Sequence, residues 1–208
     1  MGLALAACSN TPQAPQWQMN AKGSAERATE AALGGDIRVE AAEFVRAREE
    51  MARTGRPDLV ARLELLRCAT RVAALDFDPC TGFEALAGDA AAPERAYARY
   101  LNGAVEPGDA ALLPEPHRAL AAGATPDTAL ASIEDPVSRL VAAGVLMRSG
   151  RATPGVIAQA VETASARGWR RPLLAWLKVQ QQRAEAAGDA AAAAGLQRRI
   201  DLVLSAGS

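Results

Sequence analysis

The stretch DPVSRLVAAGVLMRSGRATPGVIAQAVETASARG at residues 135–168 decides the fold class, because it contains two helix starts and two helix ends. Asp135-Pro136 and Thr153-Pro154 each place a capping side chain before a proline, and proline suits the first position of a helix. Each helix runs for about four turns and stops before a glycine, Gly150 or Gly168. The stretch therefore predicts two consecutive helices joined by a short turn.

Similar start and stop residues occur on both sides of this stretch. A helical stripe of apolar residues runs from Ile37 to Ala52, and a long helix with Trp169 and Trp176 on one face precedes a turn at Gly188. No apolar residues alternate with a period of two over a length that would form a strand. We therefore predict an all-α fold, with further helices starting at Ser24, Pro57, Pro93, Thr125-Pro126, Pro172 and Asp189.

The composition also favours helices. Among 208 residues, 50 are alanine, whereas Leu, Ile, Val and Phe together number 41. Alanine is the strongest helix former, so a chain this rich in it is expected to be helical almost throughout. The 23 basic and 24 acidic residues give a net charge of -1, which argues against nucleic-acid binding through bulk positive charge. We expect no nucleic-acid partner.

Two Gly-Asp turns suggest how the helices are arranged. Residues 31–36 (AALGGD) and 184–189 (AEAAGD) are similar to the turn of a tetratricopeptide-type helix pair. No regular 34-residue period accompanies them. We therefore expect residues 24–208 to form a single all-helical domain of antiparallel helix pairs, either a loose solenoid-like array or an irregular bundle.

The amino terminus carries the most specific motif. Leu5-Ala6-Ala7-Cys8 resembles the lipobox of bacterial lipoproteins, in which cleavage before the cysteine leaves it as a lipidated first residue. Residues 1–7 are shorter than a complete signal peptide and lack its basic start, so we interpret them as the remnant of one. The alternative interpretation is an alanine-rich terminus with a chance cysteine.

The residues after Cys8 fit the same interpretation. The polar, proline-bearing stretch SNTPQAPQ at residues 9–16 has no helical period, so we predict that residues 8–23 are a lipidated cysteine and a flexible tether. Serine after the lipidated cysteine resembles lipoproteins sorted to the outer membrane. The resemblance implies a protein anchored to the periplasmic face of that membrane through the lipid on Cys8.

The cysteine count supports an oxidising location. If Cys8 carries lipid, Cys68 and Cys80 remain as a pair, and paired cysteines in the periplasm normally form a disulfide. Such a bond would fold the loop before Cys80 back along the helix that contains Cys68. Two buried free thiols and a metal site are the alternatives, although a metal site would need further ligands.

Charge is segregated along the chain. Residues 46–75 have a net charge of +3, residues 76–136 of -8 and residues 167–208 of +4. This polarity could steer a charged partner, or it is an ordinary patchy surface. Arg170-Arg171 beside Trp169 is a candidate site for an anionic group, although the pair equally suits a helix start. Trp169 and Trp176 are predicted to lie in the core.

Catalytic motifs are sparse. His117 is the only histidine, and we expect it in an exposed, proline-flanked connection. Glu115 beside it is a nominal acid–base partner, but adjacency in sequence does not establish catalytic geometry. There is no second histidine for a zinc site and no Gly-Lys-Ser/Thr element for phosphates. We predict no catalytic residue, cofactor or metal.

Two function classes follow from these observations. The first is a lipid-anchored helical scaffold or adaptor that binds a partner protein of the cell envelope and is not an enzyme. The second is an envelope enzyme or ligand-binding lipoprotein that acts on cell-wall material through a carboxylate in the acidic middle of the chain, residues 76–136. A buried Glu or Asp in a deep cleft would favour the second class.

The lipobox resemblance predicts acylation of Cys8. Protein expressed with a complete signal peptide and purified from membranes should have the intact mass of the chain from Cys8 onward plus acyl groups. A Cys8→Ser variant should lack that mass and should not partition into membranes. An unlipidated wild-type mass that retains Met1 would rule out the lipobox.

Overall fold

A computed structural model describes residues 14–206, and these residues form helices with no strand among them. The predicted all-α fold is therefore confirmed. Cys8 and residues 1–7 lie outside the described residues. The helices are α1 Gln16–Gly34, α2 Ile37–Ala52, α3 Pro57–Ala73, α4 Thr81–Glu84, α5 Ala92–Leu101, α6 Asp109–Leu112, α7 Glu115–Ala121, α8 Pro126–Ala131, α9 Pro136–Arg148, α10 Pro154–Arg167, α11 Arg170–Ala186 and α12 Ala190–Ser205.

The predicted caps of α9 and α10 are present. The Asp135 carboxylate accepts a hydrogen bond from the Ser138 N–H at 2.7 Å, and the Thr153 hydroxyl accepts one from the Val156 N–H at 3.0 Å. The predicted cap at Thr125 is wrong, because its side chain makes no hydrogen bond to α8. Proline in the first turn is sufficient to start that short helix.

The predicted start of the first helix at Ser24 is also wrong, and so is the tether over residues 16–23. Helix α1 begins at Gln16, because extending it buries Ala21 and Ser24 in the hairpin that α1 forms with α2. Ser24 is consequently an interior helix residue whose hydroxyl accepts a hydrogen bond from Arg27 at 2.9 Å. Packing against α2 overrides the weak local preference of this stretch.

Helix α3 lies at the centre of the fold. It packs against α1 and α2 on one side and against α5 and α9 on the other. From α9 onward each long helix packs on the next, and α11 returns to contact α1. In a solenoid each repeat contacts only its neighbours. Here α3 contacts α9 and α1 contacts α11, so helices that are far apart in the chain pack together. The arrangement is therefore an irregular bundle and not a solenoid.

Two hydrophobic clusters share α3. The larger one contains the buried faces of α3, α5, α9, α10 and α11. The smaller one joins Ala25, Ala28, Phe44 and Ala47 of the α1–α2 hairpin to Leu63 of α3. The hairpin is therefore attached to the bundle mainly through α3 and α11.

Trp169, which precedes α11, and Trp176 within it are both buried, as predicted. Trp176 is fully buried, and its indole N–H donates to the carbonyl oxygen of Ala73 at 3.0 Å. The indole N–H of Trp169 donates to the Glu30 carboxylate at 2.8 Å. These bonds tie α11 to the end of α3 and to α1.

The prediction of an exposed His117 is wrong. Pro114 and Pro116 start helix α7, and the helix turns the imidazole inward until only 2% of the residue is exposed. The Tyr100 hydroxyl lies 3.1 Å from His117 Nδ1, and the Tyr97 ring is 5.7 Å away. Desolvation lowers the pKa of His117 to about 4, although the charge of Asp135 opposes that shift.

The buried histidine predicts acid-sensitive stability. Because the pKa of His117 is lower in the folded state than its ordinary value of 6.5, the unfolded state binds more protons between pH 6.5 and 4. Stability should therefore fall as the pH falls through this window, by about 2 kcal/mol between pH 7 and pH 5.

Urea unfolding at several pH values checks this expectation. The carboxylates with lowered pKa values, such as Asp76, lose their stabilising contribution at lower pH than His117 does. Since the chain has one histidine, a loss of stability near pH 6 is assigned to His117. Equal stability at pH 7 and pH 5 would contradict the assignment.

Candidate functional site

The described residues form a cavity of about 650 Å³. It lies between the α1–α2 turn, the middle of α3, the start of α4 and the first turns of α11. We call it the arginine cavity, because four arginines line it. These are Arg67, Arg71, Arg170 and Arg171.

The arginines come from the two basic segments that the sequence separates by almost 100 residues. Arg67 and Arg71 are one turn apart on α3, within residues 46–75. Arg170 and Arg171 open α11, within residues 167–208. The contact of α11 with α3 through Trp176 brings the two segments to one wall. The predicted segregation of charge thus becomes a local concentration of guanidinium groups.

Three of the four arginines are held by carboxylates. Arg67 Nε donates to Glu40 of α2 at 2.8 Å. Arg71 and Arg171 both donate to Asp76, each with a nitrogen 3.0 Å from a carboxylate oxygen. Asp76 therefore joins the end of α3 to the start of α11.

The contact between Asp76 and Arg71 favours the charged form of both groups. The hydrogen bond from Arg71 is the main reason that the pKa of Asp76 lies below its usual range. The same bond raises the pKa of Arg71. A carboxylate held ionised in this way does not act as a general acid near neutral pH.

The backbone positions Asp76. Leu75 follows the end of α3 with φ of 59°, and it is the one non-glycine residue with positive φ among residues 14–206. The left-handed conformation turns the chain back, so that the Asp76 N–H donates to the carbonyl oxygen of Arg71 at 3.0 Å. A leucine in this region is conformationally unfavourable, and such residues cluster at functional sites.

Arg170 differs from the other three arginines. Its guanidinium has no ion pair or hydrogen bond with any residue of the described part of the chain, and its Nε is shielded from solvent. An unsatisfied buried donor is rare and costs about 1–3 kcal/mol. Arg170 is therefore the one lining arginine whose guanidinium makes no hydrogen bond to the described residues.

The Cys68–Cys80 disulfide forms part of the cavity wall. The predicted pair is joined, with the two Cα atoms 5.8 Å apart. Cys68 lines the cavity from α3, and Cys80 occupies the N-cap position of α4. The bond holds α4 against α3, as the sequence predicted, and this places Thr81 and Gly82 at the cavity edge.

One carboxylate in the cavity is buried. Glu64 of α3 is 9% exposed and accepts a hydrogen bond from Arg48 Nε at 3.1 Å. A Cβ atom at residue 82 would overlap Oε2 of Glu64, so Gly82 leaves room for this side chain. The buried carboxylate of the cavity therefore lies in the basic segment 46–75, and not in the acidic segment 76–136 where the cell-wall alternative expected it.

The other predicted chemical groups lie elsewhere. His117 and Glu115 do not line the arginine cavity. Acidic residues of the negative segment form structural ion pairs, such as Glu94 with Arg62 and Asp109 with Arg99. No group of three or more potential metal ligands occurs within residues 14–206.

No family model, curated protein or solved structure matches the chain.

Several cavity residues carry no recognisable sequence motif. Glu40, Glu64 and Arg67 are ordinary charged positions of helices, and only the packing of α2 on α3 brings Glu40 to Arg67. In the sequence, the arginine cavity is indicated by the Arg170-Arg171 pair and by the two basic segments. Covariation between α2 and α3 positions would be the additional signal needed.

Proposed function

We propose that the protein is a lipid-anchored scaffold or adaptor at the periplasmic face of the outer membrane. It binds a partner protein of the cell envelope and catalyses no reaction. The arginine cavity is the surface that receives the partner. The convergence of four arginines from two distant segments on one concave surface is the observation that carries this proposal.

The chemistry of the cavity supports binding. Its arginines are arranged on α3 and α11, two packed helices, so the guanidinium groups are preorganised and little order has to be imposed on association. The lowered pKa of Asp76 keeps this carboxylate ionised near neutral pH, so it is better suited to electrostatic binding than to proton transfer. Basic surfaces of this kind complement an acidic partner.

The location rests on the Leu5-Ala6-Ala7-Cys8 resemblance, with support from the disulfide. A disulfide such as that between Cys68 and Cys80 is typical of proteins in an oxidising compartment. No helix within residues 14–206 has the length and apolar character needed to cross a membrane.

A second candidate function is an envelope enzyme or ligand-binding lipoprotein that acts on cell-wall material. Glu64, a buried carboxylate in a cleft, specifically favours it. Arg48 neutralises this carboxylate from outside the cavity. The adaptor is preferred, because a general acid needs a desolvated carboxyl without such a cation.

Two matched substitutions on α2 test the adaptor. Ile37 lines the mouth of the cavity and is 74% exposed, whereas Val45 is 52% exposed on the same helix and does not line it. Ile37→Glu adds a negative charge that should repel an acidic partner, and it disturbs no buried packing. Val45→Glu makes the same chemical change away from the cavity.

The measurement is recovery of partners on the lipid-anchored full chain in detergent-solubilised envelopes, quantified by mass spectrometry. One envelope protein should be recovered at least tenfold less with Ile37→Glu and undiminished with Val45→Glu. Equal recovery of every protein by both variants would contradict the proposal. Release of soluble fragments from purified cell wall by the wild type, abolished by Glu64→Gln, would instead establish the enzyme.

A further inference from the structure

We propose that Arg170 binds a carboxylate of an acidic segment of the partner protein, inside the arginine cavity. This inference rests on the proposed adaptor function, because it specifies what the same surface recognises. In this proposal Arg170 is the specificity-determining residue. The neighbouring Arg67, Arg71 and Arg171 are held by carboxylates and surround it.

The position of Arg170 is electrostatically unfavourable without a ligand. Arg170 and Arg171 lie in the first turn of a 17-residue helix that has no acidic residue in that turn and no side-chain cap from Trp169. The amino end of a helix carries a partial positive charge. Two arginines at this end are therefore repelled by the helix dipole and by one another. Asp76 compensates Arg171. No described residue compensates Arg170.

The charge of the cavity lining matches one carboxylate. The lining has four arginines and three acids, Glu40, Glu64 and Asp76. With the ion-pair partners outside the lining, Arg48 of Glu64 and Asp78 of Arg71, five arginines face four acids, which leaves an excess of one positive charge. Glu40, Glu64 and Asp76 each accept a hydrogen bond from an arginine. The excess therefore resides on Arg170. A carboxylate brings one negative charge and fits the two parallel N–H bonds of a guanidinium, whereas a phosphate brings more charge than the lining lacks.

The surroundings favour a protein segment as the source of that carboxylate. The cavity opens beside the exposed side chain of Ile37 and also contacts Leu174 of α11. These apolar groups flank the arginines and would contact the aliphatic parts of a peptide on either side of its acidic residue. Its volume of about 650 Å³ also exceeds what a single small anion needs.

A titration of the full chain with short peptides tests the inference. The ligand probe is the acetylated, amidated peptide Ala-Leu-Glu-Leu-Ala, which carries one carboxylate, and its isosteric control is Ala-Leu-Gln-Leu-Ala. Inorganic phosphate at the same concentration is the third arm. The readout is the ¹⁵N-detected Nε–H signal of Arg170, assigned by its disappearance in Arg170→Lys, because this signal reports on the guanidinium itself.

The Arg170 signal should shift and saturate with the glutamate peptide, and it should move far less with the glutamine peptide or phosphate. Arg170→Lys retains the charge but loses the planar fork, so the dissociation constant should rise about tenfold. Arg198→Lys is the matched control, because Arg198 is exposed on α12 and makes no described ion pair. It should bind and melt like the wild type. Arg170→Lys should melt no lower than the wild type, because it removes the unsatisfied Nε–H donor.

Three results would overturn the inference. They are an unshifted Arg170 signal, an equal response to phosphate, and unchanged affinity in Arg170→Lys. The titration contains no cellular partner. Its failure would therefore contradict the carboxylate site without contradicting the adaptor function, which the Ile37→Glu experiment tests separately. Conversely, a saturating titration with no cavity-dependent partner in envelopes would refute the adaptor and retain the carboxylate site.

Discussion

Helix α9 crosses helix α3 so closely that a Cβ atom at Gly144 would overlap the carbonyl oxygen of Val72. The next carbonyl along α3, that of Ala73, accepts the indole N–H of the fully buried Trp176. Two neighbouring backbone groups at the end of one helix thus fix the positions of α9 and α11. Such contacts depend on the absence of a side chain at Gly144, since packed interiors accommodate little extra volume.

The arginine cavity depends on the position of α11 on α3. Arg67, Cys68 and Arg71 are carried by α3, and Arg170 is carried by α11. A shift of α11 along α3 would separate the two pairs of arginines and break the shared contacts of Asp76. The disulfide adds a second restraint by holding α4 at the opposite edge. The core and the proposed recognition surface therefore share helices α3 and α11.

The predictions that succeeded concern local physics or a long periodic pattern. The caps at Asp135 and Thr153 need only three neighbouring residues, and the burial of Trp176 follows from its place in an apolar stripe. The failures arose where tertiary contacts decide. Helix α1 begins before Ser24 because its residues ahead of that position pack against α2. His117 is buried because it packs against Tyr100. The cavity was predictable only as two basic segments and an arginine pair, because pairings such as that of α2 with α3 are long-range.

Substitution of Gly144 by alanine measures the central constraint most directly, with Gly195→Ala as its control. Gly195 lies in α12, where an added Cβ would be 3.6 Å from the flexible end of Arg198. Alanine there should stabilise the protein by up to about 1 kcal/mol through helix propensity. Gly144→Ala should instead lower the free energy of unfolding by about 1–3 kcal/mol, because α9 must move away from α3. Stabilisation by both substitutions in urea unfolding would contradict the account.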